Sequence, residues 1–287
     1  LEFFYLDSLK EMSMRVDEEI LNKAKALWGN DLHNDKSAPI HCSQLEDVFE
    51  QEWVDAMHGH LLEIGCGSGS DLTVFSANPS IASITAIDLG SNVHALAEKY
   101  SLRADITIKN GNALALEFER GYFDVVYSYG VLHHTSDPIK GIEEAKRVLK
   151  VDGKLFLYLY GTHEDIWFKR IGVIFEKALM LIFKILPYNL QSTICILLSP
   201  ICWLLFSLPA IFLRLIGAKE FAAKIPFYFG THPFSLIGDL KDRLLSPVNH
   251  RFTKVQMEAI LLSVGFTNFQ VIKKPSGLYI FAKNLES

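Results

Sequence analysis

The sequence predicts an α/β fold, in which a seven-stranded, mostly parallel sheet is covered by helices on both faces. Short apolar runs alternate with helical segments between residues 58 and 160, and two more strand-like runs follow near the C-terminus. Strands that alternate with helices form right-handed βαβ units, whose helices fall on both faces of one sheet. A long apolar, helical region interrupts the alternation after the fifth strand, which predicts a large insertion.

The N-terminal segment, residues 1–57, carries apolar residues at helical spacing over 17–27 and 44–57, which predicts two helices. In the core, residues 58–160, the predicted strands are 60–64, 81–88, 105–109, 123–128 and 154–160, and the predicted helices are about 70–77, 91–101 and 138–150. After the insertion, residues 161–251, a helix over 254–264 and strands over 265–272 and 278–282 complete the core. These last strands form a hairpin through 275–277, so the final strand is expected to be antiparallel within residues 252–287.

The composition excludes several classes of protein. The 287 residues include 28 basic and 33 acidic side chains, for a net charge of -5, so no broad nucleic-acid-binding surface is expected. Charged residues reach only 21% and hydrophobic residues 49%, which excludes general disorder. The four cysteines lie far apart, and no His or Cys spacing suits a metal, so we expect neither a disulfide framework nor a metal site. Residues 1–5 lack the pattern of a secretory signal, and a cytoplasmic protein is expected.

A glycine turn at the end of the first predicted strand is the strongest signal for function. Gly65, Gly67 and Gly69 alternate there, which lets the chain turn sharply and lets a ligand approach the backbone. Asp88 ends the second predicted strand, where a dinucleotide fold places a carboxylate on ribose hydroxyls. Glu63 would repel a pyrophosphate but suits a cationic amino-acid end. The pattern therefore favours S-adenosylmethionine over NAD, although a purely structural turn also fits it.

With these motifs the chain resembles the class I S-adenosylmethionine-dependent methyltransferases. Residues 60–160 and 252–284 are similar to that family's Rossmann-like sheet, and residues 61–69 match its first motif. Residues 111–113, 123–134 and 149–154 match the loops and strands that follow, although Asn112 stands where the family commonly has an acid. The resemblance implies S-adenosylmethionine as the cofactor. It implies these cofactor-binding residues: Glu63, Gly65, Cys66, Gly67, Gly69, Asp88, Leu89, Asn112, Ala113 and Tyr129.

The insertion is both the apolar and the basic part of the chain. Residues 185–213 carry no charge, whereas 161–254 hold 11 basic and 6 acidic residues. Three interpretations stay open: a helical lid over the methyl-donor pocket, a membrane-facing anchor through 165–247, or ordinary core helices of a larger domain. The first two imply a lipophilic acceptor, and basic residues beside apolar helices suit an anionic lipid surface. A membrane span is disfavoured, because Pro187, Pro200 and Pro209 are expected to break the run into shorter helices.

Histidines are the candidate general bases, because an acceptor hydroxyl must lose a proton during methyl transfer. His133 and His134 follow the fourth predicted strand, at the edge where ligands bind in such sheets. His232 and His250 lie near the end of the insertion and are weaker candidates. A structural role, with the imidazole merely hydrogen-bonded, is the alternative for each of them.

The sequence therefore predicts a methyltransferase that modifies a hydrophobic small molecule or a membrane-associated lipid. A polar acceptor, such as a sugar or a soluble natural product, is the alternative within the class. The alternative outside it is a non-catalytic, cofactor-binding protein that docks a partner or a membrane through the insertion. The expected location is the cytoplasm, with peripheral contact to the cytoplasmic face of the membrane as an extension of the anchor interpretation.

Overall fold

The computed structural model describes residues 41–286 and, before them, residues 18–20, 22, 23, 25 and 27. The described residues of the predicted helix 17–27 are helical, and its remaining positions lie outside the described residues, as do residues 1–5. The chain divides into two compact units. The first unit comprises residues 1–160, 247–272 and 278–287, and the second comprises 161–246 and 273–277.

The first unit is the α/β unit. Its helices are α1 (Cys42–Ala56), α2 (Ser70–Phe75), α3 (Asn92–Lys99), α4 (Pro138–Val148) and α10 (Lys254–Val264). Its strands are β1 (Gly59–Ile64), β2 (Ile81–Asp88), β3 (Ile106–Asn110), β4 (Phe123–Tyr129), β5 (Leu149–Leu159), β6 (Asn268–Lys273) and β7 (Leu278–Lys283), of which β6 ends one residue inside the second unit.

The seven strands form one sheet in the order β3-β2-β1-β4-β5-β7-β6. The pairs β1–β2, β1–β4, β2–β3 and β4–β5 are parallel, and β7 runs antiparallel to β5. The order reverses direction beside β1, because the chain returns from β3 to place β4 on the other side of it. The carboxyl ends of β1 and its neighbours therefore open on a topological switch point, where ligands bind in such sheets.

Alternating strand residues fill a separate apolar core on each face of the sheet. On one face Leu61 packs with Phe49 and Trp53 of α1. On the other face Leu62 packs with apolar residues of α4 and α10, among them Ile142. A parallel sheet covered on both faces needs such strands, apolar at successive positions. This architecture confirms the fold class that the sequence predicts.

One predicted boundary in the core is wrong. Strand β5 begins at Leu149, five residues before the predicted start, and helix α4 ends at Val148. The register between β4 and β5 shifts between Phe123 and Val125. Gly153, in the segment expected to lead into the fifth strand, lies within β5, because an irregular pairing accommodates the extra residues.

The second unit is helical. It contains α5 (Trp167–Phe183), α6 (Tyr188–Cys202), a π-helical segment (Trp203–Ser207), α7 (Leu208–Leu215), α8 (Lys219–Lys224) and α9 (Ile237–Leu245). A small apolar cluster contains Phe183, Cys195, Leu236, Leu240 and Leu244.

The prolines do not divide the apolar run as the sequence predicts. Residues Tyr188–Leu215 form one helical run of 28 residues, which is long and apolar enough to cross a membrane. Pro187 precedes the run, but Pro200 lies within α6 and Pro209 within the first turn of α7. The π-helical segment lies between these two prolines, and such a local change in helical pitch accommodates the hydrogen bonds that prolines remove.

Candidate active site

The glycine turn after β1 has a backbone that only glycine adopts readily. Gly65, Gly67 and Gly69 have φ angles of 81°, 50° and 77°, in the region that a side chain disfavours. A Cβ at Gly65 would also collide with the side chain of Val131, and one at Gly69 would lie 2.6 Å from Leu96 Cδ1. The turn is therefore fixed by both backbone conformation and packing.

Asp88 ties this turn to the next strand. Its Oδ2 accepts a hydrogen bond from the Gly67 amide at 2.9 Å, and its Oδ1 accepts one from the Gly90 amide at 2.8 Å. Asn110 further stabilises the loop after β2, because its side-chain amide donates hydrogen bonds to the backbone carbonyls of Asp88 and Gly90. The carboxylate is 8% exposed. Since a carboxylate offers about four lone-pair sites, it can hold this turn and still accept further hydrogen bonds.

Glu63 is a buried acid with an unused oxygen. It lies near the end of β1, is 2% exposed, and its Oε2 has no hydrogen-bond partner. Burial, followed by the nearby charges of Asp71 and Asp88, raises the pKa of Glu63 well above its usual range. A cationic ligand group beside it would reverse that shift and satisfy the oxygen. The amino group of S-adenosylmethionine fits this requirement.

Asn92, at the start of α3, offers a second unused oxygen beside the turn. Its side-chain amide donates to the Gly67 carbonyl, while its Oδ1 is buried without a hydrogen-bond partner. Buried polar atoms without partners are rare in proteins and often mark ligand sites. Asn92 and Glu63 therefore both support a polar ligand at the turn.

Asp71 joins helix α1 to the same region. Its Oδ1 accepts hydrogen bonds from the backbone amides of His41 and Cys42, at 2.5 and 3.0 Å, where α1 begins. Its Oδ2 accepts a hydrogen bond from the Tyr127 hydroxyl at 2.6 Å. An acidic side chain at a helix N-terminus stabilises the helix by both hydrogen bonding and charge. The first turn of α1 is thus held beside the glycine turn.

Tyr129 lies at the end of β4 within an aromatic stack. Its ring lies between His41 and Tyr158, with centroid distances of 4.5 and 4.2 Å. The hydroxyls of Tyr129 and Tyr279 both donate to Gln44 Oε1, at 2.9 and 2.8 Å. Burial raises the pKa of Tyr129, so its phenol stays neutral. The ring is therefore a fixed apolar wall rather than a proton carrier.

The remaining predicted cofactor residues occupy the loops around the same edge. Cys66 is buried in the glycine turn, and burial raises the pKa of its thiol. Leu89 follows Asp88 and is half-buried, whereas Ala113 is buried after β3. The Oδ1 of Asn112 accepts a hydrogen bond from the Leu114 amide at 3.0 Å. Asn112 therefore shapes its own loop, and one lone pair of its oxygen is already used.

His133 and His134 form a short turn after β4 and are both buried. The His133 ring lies 4.0 Å from the Tyr160 ring, and its backbone carbonyl accepts a hydrogen bond from the His250 amide at 2.8 Å. His134 Nδ1 lies 3.1 Å from the Val248 carbonyl. Three of the four predicted histidines therefore meet at this turn, because residues 247–252 pack against it.

His250 has a ring nitrogen that can accept a proton. Its Nε2 is buried and has no hydrogen-bond partner. Burial lowers the pKa of His250, although a hydrogen bond with the backbone of Thr135 partly offsets this effect. Burial thus favours the neutral ring, which is the form that a general base requires.

His232 lies elsewhere, on the surface of the second unit. Its Nδ1 accepts a hydrogen bond from the Phe234 amide at 3.3 Å. Its ring nitrogen thus takes part in a local turn of residues 231–235. This contact gives His232 a local structural role.

The comparisons with known proteins identify the central segment. Residues 62–157 match a family model described as a methyltransferase domain. This segment is a methyltransferase domain. Its sheet order and glycine turn are those of the class I type, whose methyl donor is S-adenosylmethionine, as the sequence predicts.

Three relatives illustrate the similarity. A demethylmenaquinone methyltransferase of Lactococcus lactis is 33% identical over 42% of this chain and 54% of its own length. A 27-O-demethylrifamycin SV methyltransferase of Amycolatopsis mediterranei is 29% identical over 46% of this chain and 52% of its own. A ubiquinone biosynthesis O-methyltransferase of Paraburkholderia phymatum is 31% identical over 43% and 54%. The chain spans about half the length of the curated relatives it matches.

Sequence reasoning missed the residues that connect separate parts of the site. Asp71, Gln44, Asn92 and Asn110 are polar side chains with no distinctive local motif. Asp71 and Tyr127 are 56 positions apart, and Gln44 and Tyr279 are 235 apart. Only Asp71 had a sequence signal that could have marked it as a site residue: it lies in the first turn of the helix that follows the glycines.

Proposed function

We propose that this protein transfers a methyl group from S-adenosylmethionine to a lipophilic small molecule of the quinone or lipid-like class. The observation that carries the methyl-donor part is Glu63, a buried carboxylate with an unused oxygen beside the glycine turn. In the proposed complex, Glu63 and the glycine turn hold the amino-acid end, and Asp88 accepts from the ribose hydroxyls. Leu89, Asn112 and Ala113 border the adenine, and Tyr129 borders the methionine end.

S-adenosylmethionine supplies a methyl group that is already activated on a sulfonium sulfur. The protein therefore has to align the acceptor, exclude water and remove a proton from the acceptor hydroxyl. Among the candidate bases, His250 fits best, because burial favours its neutral ring and its Nε2 has no competing hydrogen bond. The neighbouring His133 and His134 fix the position of residues 248–250 through their backbone and ring contacts.

Two observations support a lipophilic acceptor. The relatives include enzymes of demethylmenaquinone methylation and of ubiquinone biosynthesis, which act on quinone or lipid-like molecules. The second unit exposes many large apolar side chains, as is typical of proteins that meet lipids or other apolar partners. We further propose a cytoplasmic protein that contacts the membrane peripherally through residues 165–247.

Labelled methyl transfer tests the proposal. The full-length protein is incubated with methyl-labelled S-adenosylmethionine and a total lipid extract, and in parallel with the aqueous metabolite fraction. We expect label in the lipid phase. Label in the aqueous phase alone would favour a polar acceptor, and no label with intact S-adenosylmethionine binding would favour a non-catalytic binding protein.

Glu63→Gln tests the donor site separately. It removes the negative charge while keeping the size, so S-adenosylmethionine should bind about tenfold more weakly by calorimetry, as expected for losing one charge-assisted contact. Glu119→Gln, at an exposed position of the same unit, is the matched control and should bind normally. Equal affinity of both variants would contradict the role of Glu63.

A further inference from the structure

The second unit concentrates the exposed apolar surface of the described chain. Of the 30 exposed large hydrophobic side chains among the described residues, 21 lie between Trp167 and Phe234. Leu204 is 57% exposed, Phe212 61% and Leu215 80%. Scattered exposed apolar side chains are ordinary in soluble proteins, but a dense set on one unit marks an interaction surface.

Polar side chains are buried in the same unit. Lys169 donates from Nζ to the Pro275 carbonyl at 2.7 Å, and burial lowers its pKa to about 8. Ser199 and Ser207 are fully buried and donate to the Pro233 and Phe227 carbonyls. These three buried polar side chains thus have partners within the unit, while many leucine, isoleucine and phenylalanine side chains lie outside. This distribution suits an apolar surrounding, in which polar groups must find partners within the protein.

Seven exposed apolar residues of the helical run Tyr188–Leu215 form a continuous stripe. They recur at intervals of three, four or seven residues: Leu190, Leu197, Ile201, Leu204, Leu208, Phe212 and Leu215. Such intervals place side chains on one helix face. The opposite face carries the buried Cys195 and Ser199. At 1.5 Å per residue, the 28-residue run extends about 42 Å.

Helix α5 has a second apolar stripe with a basic border. Its exposed apolar residues are Trp167, Ile171, Ile174, Phe175, Leu181 and Ile182, and Ile185 continues the same face. Arg170, Lys177 and Lys184 recur every seven residues, about 100° from the centre of that face by helical geometry, and all three are exposed. When such a helix lies in the membrane interface with its apolar face down, side chains about 100° from that face lie at the depth of the headgroups. Cations at these positions reach anionic headgroups.

We propose that the second unit docks onto an anionic lipid bilayer, with Tyr188–Leu215 and α5 lying in the plane of the interface and their apolar stripes in the acyl region. The charges on the neighbouring helix α9 argue against a membrane span by the run Tyr188–Leu215. Helix α9 packs on α6 through Leu240 and Leu244, and it carries Asp239, Lys241, Asp242 and Arg243. A spanning α6 would carry these charges into the hydrocarbon, which is costly.

A lipid surface fits the stripes better than a second protein does. Protein interfaces carry about one hydrogen bond per 100–200 Å², whereas the stripe of Tyr188–Leu215 consists of aliphatic and phenyl groups. The basic border of α5 adds charge complementarity to anionic headgroups. The inference rests on the proposed function and deepens its membrane contact, because it names the charge of the lipid, the helices that dock and their orientation.

Liposome flotation of the full-length protein is the test. We expect flotation with phosphatidylcholine vesicles that contain phosphatidylglycerol, and weaker flotation without it. Leu204→Glu and Phe212→Glu should each lower the bound-to-free ratio about tenfold, because each removes buried apolar area and adds an anion. Lys177→Glu should lower it by at least about fivefold and only for anionic vesicles, because one basic residue near the surface is lost.

Leu102→Glu is the matched control, since Leu102 is 99% exposed but lies in the first unit. This variant should float like the parent protein. The proposal is overturned if the parent stays in solution, or if Leu102→Glu loses flotation equally. It is also overturned if light scattering finds a dimer that Leu204→Glu and Phe212→Glu dissociate while neither affects vesicle binding.

Spin labels on cysteines introduced one at a time at Leu190, Leu204 and Leu215 test the orientation. The unsubstituted protein, whose four native cysteines are buried or half-buried, is the labelling control. In-plane docking predicts similar shallow depths at all three positions, whereas a span would place Leu204 much deeper than the ends. Methyl transfer is measured on the same samples. Flotation without transfer would refute the proposed methyl transfer and leave the docking intact. Transfer without flotation would refute the docking, together with the membrane contact proposed with the function, and leave the methyl transfer intact.

Discussion

The link between Asp88 and the two backbone turns can be tested by removing its carboxylate. Asp88→Ala leaves the buried amides of Gly67 and Gly90 without acceptors. A hydrogen bond to a charged group contributes about 1.5–3 kcal/mol, so the two bonds together predict a loss of about 3–6 kcal/mol of unfolding free energy. Whole domains are stable by about 5–15 kcal/mol, so this variant is expected to be only marginally folded.

Asp88→Asn separates folding from ligand binding. Its carbonyl oxygen can still accept from one of the two amides, so the predicted loss is about half as large, or about 1.5–3 kcal/mol by urea denaturation. Because its charge is gone, S-adenosylmethionine should bind at least about tenfold more weakly in calorimetry. Asp105→Asn removes an exposed carboxylate paired with Arg103 and should change neither quantity. An unfolding free energy of Asp88→Asn within about 0.5 kcal/mol of the parent's would refute the role of Asp88 in holding the two turns.

Three further predictions follow from the same site. Gly65→Ala should lower the unfolding free energy by about 2–4 kcal/mol in urea melts, because a φ of 81° and a collision with Val131 both oppose a side chain. Asp71→Ala should lower it by about 2–4 kcal/mol, because the start of α1 and the Tyr127 hydroxyl lose their acceptor. His250→Gln should lower the rate of methyl transfer by at least about 100-fold if His250 is the base. In the parent the rate should fall at acidic pH with a midpoint below the usual range of histidine, because burial lowers the pKa of His250 and only the neutral ring accepts a proton.

Each of these changes has a matched control. Gly172→Ala lies in helix α5 with no atom near the added Cβ, so it should be neutral or slightly stabilising. Tyr127→Phe removes one of the hydrogen bonds to Asp71 and should cost less than Asp71→Ala. His58→Gln changes an exposed histidine before β1 and should retain both the rate and its pH profile. An unchanged acidic limb in His250→Gln would exclude His250 as the titrating base.

Local sequence patterns were sufficient to predict most of the strands and helices of the core. The glycine turn, the acid at the end of β2 and the alternation of strands with helices are periodic or closely spaced signals, so they are visible in the sequence. The start of β5 was not, since the register shift beside Phe123 depends on pairing with β4. The continuity of Tyr188–Leu215 was also missed, because the sequence predicts that prolines end helices, whereas the π-helical segment accommodates them.

The candidate site was predictable only where one residue type is required by the local backbone or by its position after a strand. The sequence by itself determined the succession of strands and helices along the core, the glycine turn and the apolar, basic character of the insertion. Only the tertiary structure decided that Asp71 holds the start of α1, that residues 247–252 bring His250 to the turn of His133 and His134, and that the apolar stripes of the second unit face outward. The physical reason is range, because backbone conformation and helical periodicity are set by neighbours within a few residues. These contacts instead join positions 29 or more residues apart, or depend on which face a helix buries.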